Sequence, residues 1–424
     1  MTTVTPNAAG SAPDFSLSTD EFWTAPLDVR AERFEWLRAN DPYRYFDLPE
    51  VDLPMGDPDQ KGYHALVRHA DIVEASRQPD RFCSGKGATS IFDQPAEFNE
   101  FFGSMINLDD PRHARLRGLV SKAFTPRRVQ QLEDSVHRIA GEVVDEVIDR
   151  GECDFVTDIA AQLPLRIICE MMGVEPEQYG YVFDQSNIIL GAGDSEYVPD
   201  PTKIVDSILG AGFGLAELMK QSVADREATP RDDLLSSLIQ GEVDGERLSP
   251  EELASFFILL LAAGNETTRN AISWGLHLLT DNPDQYELWK GDPATHSRNA
   301  VEEIVRWASP VIYMRRTVTA DGTRLGDATF DEGDKLMLCY WAGDHDPRVY
   351  DEPERFDITR SAEAHVGFGA PGPHFCLGAH LARREVTVMF DELFRRMPNL
   401  HATGQPDRLQ SSFINGVKHL PCAW

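Results

Sequence analysis

The chain has 424 residues, of which 42% are hydrophobic and 26% charged, enough apolar material for one large core. Its 70 acidic against 40 basic residues give a formal charge of −30, a field that repels nucleic acid and anionic lipid and excludes broad binding to either. The longest apolar run, Phe256 to Ala263, is eight residues, far short of the ~20 needed to span a bilayer.

Residues 1–18 are small and polar and are expected to form a flexible leader. They lack the basic start, apolar stretch and cleavage site of a signal peptide, so a cytoplasmic protein is expected. No linker, repeat or low-complexity tract interrupts the remainder, which is expected to be a single domain over 19–424. In chain order, apolar periodicity predicts a strand near 62–67, helices over 127–148, 204–226, 250–280 and 295–307, strands over 313–318 and 335–340, and a helix over 379–397. The last fifteen residues read as strands, with Asn415-Gly416 between apolar neighbours predicting a hairpin. The expected class is mainly α with a small β portion. An α-rich unit of this size with irregular loops usually encloses something large, such as a cofactor.

Six cysteines, at 83, 153, 169, 339, 376 and 422, show neither paired metal spacing nor a disulfide framework, as expected in a reducing compartment. Five read as packing residues. The sixth, Cys376, ends the loop His365-Val-Gly-Phe-Gly-Ala-Pro-Gly-Pro-His-Phe-Cys, and Leu377-Gly378 leads into a helix from Ala379. Glycines and prolines make this loop irregular and stiff, and its free N–H groups and the helix start can stabilise a thiolate. Gly378, without a Cβ, lets the backbone pass close beneath a flat ligand.

Mid-way along the predicted helix over 250–280 lies Ala263-Gly264-Asn265-Glu266-Thr267-Thr268, where small residues open a groove and an acid stands beside an alcohol. Ser249, Pro250 and Glu252 supply the N-cap, the N1 proline and the N3 carboxylate of that helix. Glu303 and Arg306, three apart, share one helix face. His113 and Arg117 lie one turn apart after Asp110-Pro111, and Arg315-Arg316 falls on a predicted strand.

These motifs together resemble the bacterial cytochrome P-450 family, over residues 20–424. Phe368, Gly369, Gly372, His374 and Gly378 fill the positions of the family's cysteine signature, with one departure: Phe368 lies eight residues before Cys376 where the usual spacing is seven. The resemblance implies the cytochrome P-450 fold and haem b (iron protoporphyrin IX), with Cys376 as the iron ligand. His113, Arg117, Arg316 and His374 are then the propionate partners, with Gly378 beneath the ring. It implies catalytic roles for Thr267, which offers a hydroxyl to oxygen chemistry, and Glu266, which relays protons. Glu303, Arg306 and Arg355 become a structural network holding the cysteine loop. Candidate pocket residues by family position are Ile91, Phe92, Ile188, Ile189, Ala262, Ala263, Val311 and Phe413.

No flavin or nicotinamide fingerprint is present, since Gly210-Ala-Gly-Phe-Gly214 lacks the strand–turn–helix context. Electrons are therefore expected from a ferredoxin and its ferredoxin reductase. The residues Arg112, Arg115, Arg117, Lys122, Arg127, Arg128, Arg383 and Arg384 reverse the overall charge locally and are expected to dock an acidic ferredoxin. Within the family, the stretches 102–113, 254–270 and 301–316 are most similar to mycobacterial methyl-branched lipid ω-hydroxylases. That implies a monooxygenase hydroxylating the terminal methyl of a methyl-branched or isoprenoid lipid. Steroid side-chain hydroxylation, a peroxygenase or isomerase of the haem-thiolate type, and a non-catalytic haem or lipid binder stay open as alternatives.

Overall fold

The computed structural model describes residues 13–49, 60–121, 132–229, 231, 233–242, 247–361 and 364–424. Its organising element is the helix Pro250–Asp281, 32 residues long and buried along most of its length. The start is fixed as the sequence predicts: Ser249 Oγ accepts from the Glu252 N–H, Glu252 returns a bond to the Ser249 N–H, and Pro250 occupies the first turn. Around this central helix pack Ala96–Gly103, Gln162–Met171, Tyr179–Gly191, Ile204–Ala228, Pro293–Ala308 and Ala379–Arg396. Their apolar faces form the largest core cluster, with Phe256, Phe257, Trp274, Ile304 and Phe390 at its interior.

The smaller β portion forms four sheets among the described residues. One has five strands, in the order β1 (Tyr45–Phe46), β2 (Tyr63–Leu66), β8 (Lys335–Cys339), β5 (Tyr313–Val318) and β3 (Phe82–Cys83). β2 and β8 run parallel, and β5 pairs antiparallel with β8 from Tyr313↔Cys339 to Thr317↔Lys335. A second joins β4 (Glu152–Asp154), β12 (Pro421–Ala423) and β9 (His401–Ala402), while β6 (Thr323–Leu325) pairs with β7 (Ala328–Phe330). The fourth is β10 (Asp407–Arg408) with β11 (Val417–His419).

Two expectations change. The leader expected over 1–18 is packed at its end: Leu17 is buried, its carbonyl accepts from Trp23 Nε1 at 2.6 Å, and Phe15 stacks on Phe22. Residues 1–12 lie outside the described ones, as do 127–131 of the helix expected over 127–148, which is described from Glu133 to Val147.

The hairpin at Asn415-Gly416 does not form. Ile414 instead bridges to Val311, and β11 pairs with β10. The reason is that Asn415 is buried and fully engaged in tertiary contacts. Its N–H donates to Pro310 O at 3.0 Å, its Nδ2 donates to Ala308 O at 2.5 Å, and its carbonyl accepts from Trp274 Nε1 at 2.9 Å. Asn270 adds a bond from the Val417 N–H at 3.0 Å, so the C-terminal segment is fastened to the central helix. Asn415→Ala leaves the Ala308 carbonyl buried without its partner and is expected to cost about 2 kcal/mol. Denaturant unfolding of the two proteins checks it.

Candidate active site

Where the central helix crosses the cysteine loop there is a cavity of about 230 Å³. Cys376, Leu377 and Gly378 form one wall, and Ala263, Gly264, Thr267, Thr268 and Ala271 form the other. The loop reaches this position through two tight turns. Gly369 has φ +81°, a conformation side chains rarely adopt, and the Cys376 N–H then donates back to Phe368 O at 2.9 Å. Gly372 lies so close to the neighbouring helix that a Cβ would meet Ser76 O at 2.3 Å. The extra residue before Cys376 is absorbed inside this closed loop, and Phe368 still lines the cavity, with the Arg383 guanidinium 4.3 Å from its ring centroid.

Burial pushes the Cys376 thiol up, while the N–H groups of Gly378 and Ala379 and the charges of Arg117 and Arg383 pull the other way. A metal ion bound at the sulfur reverses that balance, because a coordinating thiol loses its proton outright.

The residues present fit a haem. A Cβ on Gly378 would meet nothing within 4 Å on the cavity side, so the backbone there leaves room for a flat ring. At one edge Arg117 and Arg316 both line the cavity; Arg117 Nη2 also donates to Phe375 O at 2.5 Å. Arg315 is turned away into Asp93, at 2.7 Å, and the Thr317 hydroxyl, so Arg316 is the strand arginine that faces the site. The His113 ring lies 4.2 Å from the His374 ring, and His113 Nε2 is buried with no partner among the described residues. Burial, then Arg316, push His374 down to about 2, and burial lowers His113 as well. Both are neutral imidazoles in this setting. They offer N–H groups to an anion, and the positive charge comes from the two arginines.

On the helix wall, Thr267 Oγ1 donates to Ala263 O at 2.9 Å, and both residues face the cavity. Glu266 does not. It is buried one residue away on the adjoining helix flank, paired with Arg269 and accepting from Asn270 Nδ2 at 3.2 Å. Arg269 in turn donates to Asn187 Oδ1 at 2.8 Å on the Tyr179–Gly191 helix. The acid that does line the cavity is Glu385, which the sequence reading missed. It hydrogen-bonds Thr268, and burial pushes it up to about 8, so it carries a proton at neutral pH. Its signal in the sequence was a lone carboxylate two residues past Arg383, indistinguishable there from a surface charge.

The helix Pro293–Ala308 holds the cysteine loop with two consecutive carboxylates. Glu302 bonds His365 Nε2 at 2.6 Å and Arg383 Nη2 at 3.0 Å, clamping residues on both sides of Cys376. Against the desolvation of a buried site, these bonds hold Glu302 down, from the ordinary 4.5 to about 2. Glu303, fully buried, takes a two-pronged bond from Arg306 at 2.7 and 2.9 Å. The third member is not Arg355. That side chain is 57% exposed and reaches only Glu352 and Asp357, whereas Arg360, 13% exposed, sits 3.4 Å from Glu303 Oε1. Arg355 contributes its backbone carbonyl, which accepts from Arg306 Nη2 at 3.4 Å. The turn through Asp357, whose N–H donates to Glu303 Oε1 at 3.0 Å, carries Arg360 rather than Arg355 inward.

Of the eight expected pocket residues, Ala263 and Val311 line the cavity. Ile91, Phe92 and Phe413 instead pack with Tyr313 in the core cluster beside the five-stranded sheet. Ile188 and Ile189 are half-buried on the Tyr179–Gly191 helix, and Ala262 is buried in the central helix. The cavity's hydrocarbon comes from residues not singled out beforehand, chiefly Ile106, Ile168, Leu259, Leu260 and Met314. Of the basic patch, Arg112 pairs with Glu100, Arg115 with Glu252, Arg383 with Glu302 and Arg384 with Glu133. Lys122, Arg127 and Arg128 lie outside the described residues. No helix among the described residues is long and apolar enough to cross a membrane.

Comparison with known proteins places these features in context. The model of the family "Cytochrome P-450" matches residues 212–288 and 297–416. A methyl-branched lipid omega-hydroxylase of Mycobacterium tuberculosis is 45% identical over 97% of this chain and 95% of its own length. A steroid C26-monooxygenase of Rhodococcus jostii is 38% identical over 92% of this chain and 82% of its own. Among solved structures, a Mycobacterium marinum cytochrome P-450 in complex with pseudoionone superposes with a TM-score of 0.92 at 38% identity, covering 99% of this chain and all of that one.

Removing Arg360 leaves a fully buried carboxylate short of one partner, so Arg360→Ala is expected to destabilise by about 3 kcal/mol and to loosen haem retention. Arg355→Ala is expected to change stability by less than about 0.5 kcal/mol. Thermal unfolding and haem content of the two variants check the assignment. Glu302, with its folded pKa depressed, stabilises the fold fully above its ordinary value of 4.5 and loses that contribution as pH falls towards about 2. The stability gap between wild type and Glu302→Gln should therefore narrow across that interval and stay flat above it, as measured by unfolding at a series of pH values.

Proposed function

Because the chain belongs to the cytochrome P-450 family and is a haem-iron monooxygenase, we propose that it hydroxylates the terminal methyl of a methyl-branched or isoprenoid lipid. The reading includes haem b as the cofactor, with a ferredoxin and ferredoxin reductase as electron donors. It also includes a cytoplasmic location and a single catalytic domain over 19–424.

One observation carries the substrate class. Beyond the cation edge and the Thr267, Thr268 and Glu385 groups, the cavity wall is hydrocarbon: Ile106, Ile168, Leu259, Leu260, Val311 and Met314. A ligand entering it exchanges water for apolar contact at roughly 25 cal/mol for each Å² buried, and a polar chain end would lose its hydrogen bonds there. The hydrocarbon end of the substrate is thus the end that goes in. Ala263 and Gly264, with almost no side chain, leave space beside Thr267 for that end and for dioxygen. The omega-hydroxylase relative and the pseudoionone-bound neighbour support a branched, isoprenoid-like terminus.

When bound, the haem supplies oxygen activation, favoured by electron density from the cysteine sulfur. The chain's own residues do the rest. Cys376 presents its sulfur from a loop closed by its own N–H, and Arg117, Arg316, His113 and His374 would hold the propionates. Thr267 holds a proton at its Oγ1 on the cavity wall, donated to Ala263 O at 2.9 Å. Glu266 relays protons from the flank facing the Tyr179–Gly191 helix, exchanging its Arg269 contact to do so. Arg117 also ties the helix Arg112–Ser121 to the cysteine loop, so a ferredoxin docked on that helix would sit near the sulfur.

Steroid side-chain oxidation is the second reading, favoured by the Rhodococcus relative. Branched fatty acids, isoprenoids and sterols are to be titrated against the ferric enzyme, with the low-to-high-spin change of the iron and product analysis as readouts. Branched or isoprenoid chains oxidised at the terminal methyl are expected, and a response to sterols alone would overturn the substrate assignment. Cys376→Ser is expected to lose the red-shifted band of the reduced carbon monoxide adduct together with activity. In Thr267→Ala the product formed per reductant consumed should fall several-fold, and unchanged coupling would remove Thr267 from its role.

A further inference from the structure

Two of the five cysteines read as packing residues face each other. Cys153 on β4 and Cys422 on β12 are register partners in an antiparallel pair, and their sulfurs are 3.6 Å apart. The Phe155 N–H donates to Leu420 O at 2.9 Å and the Trp424 N–H to Gly151 O at 3.2 Å, two residues to either side. By the alternation of an antiparallel ladder, the cysteines occupy a hydrogen-bonded pair position, where Cα atoms stand about 5.5 Å apart. That separation lies within the window for a disulfide, about 4.4–6.8 Å. Closing the remaining gap needs side-chain rotation, with no movement of either strand.

The two sulfurs differ in access. Cys422 is buried, and its S–H lies within hydrogen-bond reach of Cys153 Sγ and of Cys153 O at 3.5 Å. Cys153 is half-buried and meets solvent. The shared hydrogen bond and burial keep Cys422 protonated. Cys153, the more exposed of the two, is therefore the sulfur that meets an oxidant first, with Cys422 placed to resolve it.

We propose that Cys153 and Cys422 are a peroxide-responsive dithiol that closes to a reversible disulfide and clips the C-terminal strand to β4. The Cys153 thiolate attacks hydrogen peroxide, breaking the O–O bond to give a sulfenic acid and hydroxide, which takes up a proton to become water. The Cys422 thiol then attacks that sulfur; the S–S bond forms and a second water leaves. Two electrons pass from the two sulfurs to one peroxide, and a thiol reductant returns them by exchange. A monooxygenase is an apt place for such a pair, because dioxygen that takes two electrons and two protons without reaching a C–H bond leaves as hydrogen peroxide. The clip would fasten covalently the chain end that runs back through Val417 and Asn415 to the cavity residue Val311. It would join residues 269 apart in the chain, and long loops gain most from cross-linking.

The test uses the purified holoenzyme treated with limiting hydrogen peroxide. Two titratable thiols should disappear, and non-reducing peptide mapping should join the Cys153 and Cys422 peptides. Dithiothreitol should restore both thiols. Thermal unfolding of the oxidised enzyme should rise by several degrees and return on reduction. In Cys422→Ser, a sulfenic acid at Cys153 should be trapped by dimedone and no thermal shift should appear. Persistence of both thiols, oxidation of Cys153 to sulfinic acid in the wild type, or a disulfide involving Cys83 instead would each overturn the proposal.

Discussion

The structure depends on how one helix uses two neighbouring carboxylates. Glu302 and Glu303 leave the helix Pro293–Ala308 about 100° apart, so one points to the cysteine loop and the other to the irregular segment that follows Asp344. Glu302 draws in His365 and Arg383, the residues that bracket Cys376. Glu303 draws in Arg306, Arg360 and the Asp357 N–H. Both acids are buried, where an unpaired charge costs several kcal/mol, so neither partner set can be abandoned without loss. The long stretch from His345 to the cysteine holds no helix or strand among the described residues. Its position is set by these two acids and by Asp344, whose carboxylate accepts from the Val366 N–H at 2.6 Å and the Ser309 hydroxyl at 2.9 Å.

The division of labour at the ligand-binding edge follows from the same competition between burial and charge. Arginine keeps its charge when half-enclosed, whereas a histidine enclosed beside arginines gives its proton up. Arg117 and Arg316 therefore supply the field, and His113 and His374 supply directional N–H groups. The overall charge of −30 makes this small positive edge conspicuous, and most of the remaining basic residues around it are already bound to carboxylates.

What could be read in the sequence was what has a period or a fixed local geometry. The capped central helix, the β5 strand and the helix after Cys376 have boundaries within a residue or so of those expected, because their signals are local: a capping box, an apolar stripe, a glycine before a helix start. The cysteine loop stood out locally by its glycines and prolines, whereas the choice of Arg316 over Arg315 came from the resemblance to the family. Contacts made across loops were not legible. Arg355 and Arg360 differ by five positions in a segment without periodicity, and only the turn at Asp357 decides which faces Glu303. Phe413 was expected at the cavity and Asn415 in a hairpin; a buried residue whose side-chain amide bonds Ala308 and whose backbone bonds Pro310 and Trp274 overrode the local turn preference. Ile91 and Phe92 are as apolar as the true lining residues, and hydrophobicity alone does not say which of two cores a loop joins. The facing pair Cys153 and Cys422 was beyond reach altogether, since strand register between residues 269 apart leaves no trace in spacing.

The bond from the Cys376 N–H to Phe368 O has a consequence for how such a centre can vary. It turns residues 368–376 into a cassette whose two ends are tied to each other, with the sulfur at one end and the ring of Phe368 at the other. Inside the cassette Gly369 and Gly372 are fixed by a positive φ and by the neighbouring helix, and the positions left over can vary without moving its mouth. Composition there is thus free to tune what surrounds the sulfur, including the polarity and the donor groups that set a metal's reduction potential, while placement of the ligand stays fixed. Chemistry and geometry at this centre are separately adjustable, and the added residue of this chain is an instance of that freedom already in use.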